Sequence, residues 1–150
     1  MAAATTRPSE EQTIIAAVRR RYSDWVNELR RTYPPAPYLA FAQAILHLAE
    51  HCPIPSYGQT VKWESIPESA RREAVKILQN AAKQNPQSDL AQRVLGLTFL
   101  LESDVKEALR NLQRAHELKP DWFANRYALG LGYLMVGETG KALPLFRDKP

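Results

Sequence analysis

Five residues in the last third of the chain recur 34 positions further on: Leu95, Gly96, Phe99, Ala108 and Leu112 are answered by Leu129, Gly130, Tyr133, Ala142 and Phe146. Glycine in a helix interior costs roughly 1 kcal/mol against alanine, so its return at the same slot points to a neighbouring helix that comes too close for a side chain. Ala108 and Ala142 supply the matching small surface on a second helix, and Leu95, Phe99 and Leu112 fill the space around that contact. Pro120 follows a helix that runs to Lys119 and cannot extend it, because it lacks the N–H and its ring clashes with the preceding turn.

One period earlier, Ala74, Leu78, Ala81 and Pro86 continue the second-helix half of the pattern within Glu68–Asn85. The first-helix half does not continue, since its slots hold Val61, Lys62 and Ser65, and Pro67 stands where a helix interior would not tolerate it. The better partner is Tyr38–His51, in which Tyr38, Phe41, Ala42, Ile45, Leu48 and Ala49 recur at helical spacing. Residues 52–65 then form an inserted loop with Pro53, Pro55 and Gly58 as its breakers.

This register resembles that of the tetratricopeptide repeat family, whose unit is a pair of antiparallel helices. The resemblance implies an all-α, right-handed array of about three helix pairs. The division expected is a flexible 1–8, an amphipathic capping helix over 9–35, a degenerate pair over 36–86 with the loop 52–65 inserted, and repeats over 87–150. Of these repeats, 89–122 is full and 123–150 is cut short.

Composition agrees with a small helical domain. The chain has 150 residues, 45% hydrophobic and 24% charged, with a net charge of +4 and one cysteine, Cys52. It holds no apolar run near the roughly 20 residues of a membrane span and no signal-peptide stretch, so a cytoplasmic location is expected. Ahead of the repeats, Ile14, Ile15, Val18, Tyr22, Trp25, Val26, Leu29 and Tyr33 share one helical face, opposite Thr13, Arg20, Asp24, Asn27 and Arg31. Ser9 and Gln12 form a capping box, Tyr33-Pro34-Pro35 ends the helix, and the apolar face is expected to pack over the first pair.

Several lookalikes give way to plainer readings. Arg19-Arg20-Arg21, Arg30-Arg31, Arg71-Arg72 and Lys76 suggest nucleic acid, but consecutive arginines fan about 200° around a helix and lie among acidic neighbours, as on a solvated face. Asp24 and Glu28 likewise break up the positive face that an anionic membrane would need. Gly137-Glu-Thr-Gly140-Lys141-Ala142 imitates a phosphate loop, yet its first glycine would fall on Met135 and its hydroxyl on Ala142. Gly130-Leu-Gly132 lacks both the preceding strand and the third glycine of a dinucleotide fingerprint. His47, His51 and Cys52 could be metal ligands, with Glu50 or His116 recruited in space, but a fourth ligand is not evident and no metal or cofactor is assigned. No hydrolytic or redox constellation emerges, and the chain is read as non-catalytic.

What remains is binding. In the resembled family, the first helix of each pair lines a concave groove, which here implicates Arg93, Leu97, Leu100 and Leu101 together with Tyr127, Leu131, Leu134 and Met135. The Lys-and-Asn carboxylate clamp of that family is absent, because those slots hold Arg93 with Leu97 and Tyr127 with Leu131. The partner expected is therefore a helical or extended apolar segment of another protein, taken up by an adaptor, scaffold or assembly factor. Alternatives are a small client chaperone, a regulatory subunit of a larger complex, and, less favoured, a basic RNA-associated helical protein. The leucines could equally be core. The last repeat stops without the polar-faced helix that closes such arrays, so either the sequence is part of a longer chain or a second copy or partner covers Tyr133, Leu143, Leu145 and Phe146.

Overall fold

The computed structural model describes residues 10–32, 37–52, 60 and 62–147. Seven α-helices are present among the described residues: α1 Glu10–Thr32, α2 Pro37–His51, α3 Glu68–Gln84, α4 Asp89–Leu101, α5 Val105–Leu118, α6 Phe123–Met135 and α7 Thr139–Phe146. Ser9, the Tyr33-Pro34-Pro35 stop, the breakers Pro53, Pro55 and Gly58, Val61, and the stretches 1–8 and 148–150 lie outside the described residues, as does the side chain of Ile15.

The helices pair as the spacing predicts. α4 packs on α5 and α6 on α7, each pair offset by 34 residues, and α2 packs on α3 across the long connection. Ala74, Ala108 and Ala142, one period apart, are each fully buried, at 0% exposure. A Cβ built on Gly96 would lie 2.7 Å from Leu112 Cγ and 3.1 Å from the Ala108 carbonyl oxygen, and one on Gly130 would lie 2.6 Å from Phe146 Cζ. Leu112 and Phe146 occupy equivalent slots, so each sits on the glycine of its own repeat. Gly132 serves the other side of α6, where a Cβ would meet Leu109 and Leu112 of α5 at 3.0 and 3.1 Å.

The turns between paired helices also repeat. Asp104 N–H donates to Phe99 O and Ser103 N–H to Leu100 O, and Glu138 N–H to Tyr133 O and Gly137 N–H to Leu134 O, each 34 residues on. This pair of hydrogen bonds satisfies carbonyls left over at a helix C-terminus and requires a left-handed residue, here Ser103 at φ 61° and Gly137 at φ 76°. Gly137 to Ala142 therefore forms a turn and the opening of α7. Ser88 and Asp104 cap α4 and α5 by accepting from the backbone N–H of Ala91 and Glu107. The connection into α3 holds a short 3-10 turn, Trp63–Ser65, tied to the end of α4. Trp63 Nε1 and Arg71 Nη1 both donate to Glu102 Oε1 at 3.0 Å.

A buried polar cluster joins one repeat to the next. Asn125, with 0% exposure, accepts from Arg93 Nη1 at 2.7 Å. Its Nδ2 donates to Asp89 Oδ2, Ala115 O and Lys119 O at 3.2, 2.9 and 3.3 Å. Lys119 Nζ approaches Asp89 Oδ1 at 2.7 Å. The start of α4, the end of α5 and the first turn of α6 are thus fastened at one point. Burial pushes the Asp89 carboxyl upward, but hydrogen bonds from Lys119 and Asn125 and the charges of Lys119 and Arg93 outweigh it and hold the carboxyl below its ordinary value.

α1 caps the array through a narrow strip around Val26 and Leu29. It packs on α2, with Val26 buried at 1% exposure and Leu29 half-buried. The rest of the predicted apolar face, Ile14, Val18, Tyr22 and Trp25, is exposed, Trp25 at 54%. Exposure of Tyr22 and Trp25 next to buried Val26 shows that α2 covers only a narrow strip of this face.

Gly96→Val is expected to destabilise the fold by about 1–3 kcal/mol, seen as a lower urea midpoint at unchanged slope, because Leu112 is held on both sides. Gly130→Val costs less, since α7 has only eight residues and Phe146 can give way. Ser103→Gly relieves the left-handed strain and is expected to raise stability by about 1 kcal/mol in the same measurement. Asp89 is more acidic in the folded chain, so its contribution is complete above the ordinary carboxylate range and is lost as pH falls through the folded value. Denaturation between about pH 5 and pH 2 should therefore show a steeper loss of stability in the parent chain than in Asp89→Asn.

Candidate functional site

The repeat register presents the same face of α4 and α6 to one side of the array. Leu97, Leu100 and Leu101 from α4 and Leu131, Leu134 and Met135 from α6 line an open concavity of about 500 Å³. All six are apolar. Side chains spaced three and four apart along a helix stand above one another, and two helices carrying the same register lay two such rows side by side. Leu101, Leu134 and Met135 are exposed, Met135 at 56%, whereas Leu97 and Leu131 are half-buried and Leu100 is buried in the core. The concavity thus has a floor continuous with the core and a rim open to solvent.

The other residues expected at this face are engaged elsewhere. Arg93 does not line the concavity: its guanidinium bonds Asn125 and lies 3.8 Å from Asp89, inside the inter-repeat cluster. Tyr127 stands beside rather than within the concavity, between Phe123 at 5.7 Å and Phe146 at 5.4 Å between ring centroids. Each role is completed by a neighbour from another helix, Asn125 for Arg93 and Phe146 for Tyr127, which helical spacing alone does not give. Asn125 itself was missed by sequence reasoning. Its signal is a break in the repeat, since the slot 34 residues earlier holds Ala91.

Of the four residues expected to await a second copy, three have partners within the chain. Tyr133 accepts from Gln113 Nε2 at 3.0 Å and lies under Lys141 Nζ, Leu145 packs against the core, and Phe146 covers Gly130. Leu143 is exposed.

The basic residues are diluted by carboxylates. Arg71 pairs with Glu102, Arg72 with Glu68, Lys76 with Glu73 and Arg31 with Glu28. No helix among the described residues is long and apolar enough to cross a membrane.

Comparison with known proteins places this geometry. No family model matches the chain, and no curated protein matches it in sequence. Solved structures do match: MamA from Desulfovibrio magneticus RS-1 superposes with a TM-score of 0.59 over 91% of this chain and 67% of its own, at 13% identity. MamA of MSR-1 gives 0.55 over 89% of this chain and 66% of its own, and MamA of AMB-1 gives 0.56 over 89% and 68%, both at 17% identity. The chain spans about two thirds of these solved chains' length, and at such identities the likeness is one of fold. The helix order, the 34-residue register and these neighbours together give the chain a tetratricopeptide-repeat-like fold.

Proposed function

We propose that the chain is a non-catalytic protein-interaction module, an adaptor or assembly factor, whose concavity between α4 and α6 receives the apolar face of a partner helix. One observation carries this reading: six Leu and Met side chains line the concavity and, among the described residues, no polar one does. Small-molecule sites of similar volume normally carry a few placed polar groups that fix orientation, and this one offers none. An apolar protein surface needs no such groups, and Met135 with flexible leucines adapts to its shape.

A helix suits the concavity better than an extended strand. A helix meets its own backbone hydrogen bonds and presents large side chains at i, i+3 or i+4 and i+7. An extended segment laid on leucines would turn N–H and C=O groups toward surface that cannot bond them. The repeat spacing supplies two parallel rows of side chains, which is the counterpart of one such apolar stripe.

Helical peptides displayed on phage and selected against the full chain are expected to converge on large apolar residues at those spacings. Their affinity should fall at least about tenfold, or 1.4 kcal/mol, for Leu101→Glu with Met135→Glu. Both positions are already exposed, so helicity and melting temperature should hold. Peptides that bind this double variant as tightly as the parent chain would rule the concavity out.

A further inference from the structure

The C-terminal turn of α2 carries a group of side chains that the proposed interaction does not use. His47, Glu50 and His51 each offer one ligand atom, and these atoms lie within 4.8 Å of one another. We infer that this turn binds one zinc ion through the two imidazoles and the carboxylate, with water completing the coordination.

Four observations carry the inference. First, histidines at i and i+4 share one helical face, and their ring centroids are 4.7 Å apart. Ligands about 2.0–2.1 Å from a tetrahedral zinc stand about 3.3 Å from each other, so the present spacing closes with modest side-chain rotation. Second, His51 Nδ1 lies 2.8 Å from the His47 carbonyl oxygen. A carbonyl only accepts, so in the neutral ring the proton is on Nδ1 and the lone pair on Nε2 is free for a metal. Metal-binding histidines characteristically have their second nitrogen held in this way. Third, His47 Nε2 is buried without a hydrogen-bond partner, an uncompensated polar atom beside the cluster. Fourth, the negative end of the α2 dipole favours a cation at this point.

The donor set selects the metal. Two imidazoles and one carboxylate suit zinc, whereas calcium and magnesium take oxygen donors almost exclusively. Arg19 and Arg20 border the same cavity as Glu50, together with Asp24. Their charge offsets the carboxylates, so the two imidazoles supply most of the affinity. Cys52, considered with these histidines from the sequence alone, does not fall within the group although it is the next residue; α2 ends at His51.

The test uses the untagged full chain, stripped with chelator and dialysed against zinc chloride, with bound metal measured by mass spectrometry. One zinc per chain is expected. His51→Ala and Glu50→Gln, both at exposed positions, should each weaken binding more than about tenfold, and Cys52→Ser should leave it unchanged. Cobalt substitution should give visible absorption without a thiolate charge-transfer band. Absence of stoichiometric zinc in the parent chain, or equal zinc in His51→Ala, would overturn the site. A thiolate band, or loss of zinc in Cys52→Ser, would overturn the assigned ligands.

Discussion

The close approach of paired helices at Gly96 and Gly130 is the constraint from which the rest of the structure follows. With no Cβ at either position, Leu112 and Phe146 rest directly on the backbone of the facing helix, and Ala108 and Ala142 close the seam from the other side. Side chains in close-packed contact of this kind hold helices at a definite distance and angle, because interiors have little free volume to absorb a shift. Once the inner faces of α4 and α6 are committed to α5 and α7, their remaining apolar residues must lie to the side. Leu97, Leu101, Leu131, Leu134 and Met135 lie there, so the concavity is a consequence of how the pairs close.

Pairing alone does not align one repeat with the next. That task falls to Asn125, which reaches Asp89, Arg93, Ala115 and Lys119 from the first turn of α6. A buried amide meets its requirements only in a narrow range of geometries, so it specifies orientation where apolar contact would tolerate sliding. Gly132 adds to this by letting α6 settle against Leu109 and Leu112. Together they place the Leu131 row of α6 beside the Leu97 row of α4.

Much of the fold was legible in the sequence because small residues that recur in mid-helix mark where a second helix comes close. The pairing of α2 with α3 across a loop could be read from Ala74 and Leu78 on one side and the Tyr38–His51 spacing on the other. The site was legible only in part. Leu97, Leu131 and Met135 follow from register, but Arg93 and Tyr127 occupy the same register slots and turn to Asn125 and Phe146 instead. The exposed stripe of α1 shows the same limit. Amphipathic spacing identifies Ile14, Val18, Tyr22 and Trp25 as one face, but whether a face is covered depends on how its neighbour packs against it.

The sequence by itself determined the helices, their pairing and the turns that join them, since all of these rest on residues separated by one helical turn or one repeat. Only the tertiary structure decided which apolar side chains form a concavity and which form core, and that Arg93 belongs to a buried cluster. The physical reason is the range of the interactions: propensity and periodicity act within a helix, whereas burial and buried hydrogen bonds depend on which atoms of another helix lie within a few ångströms.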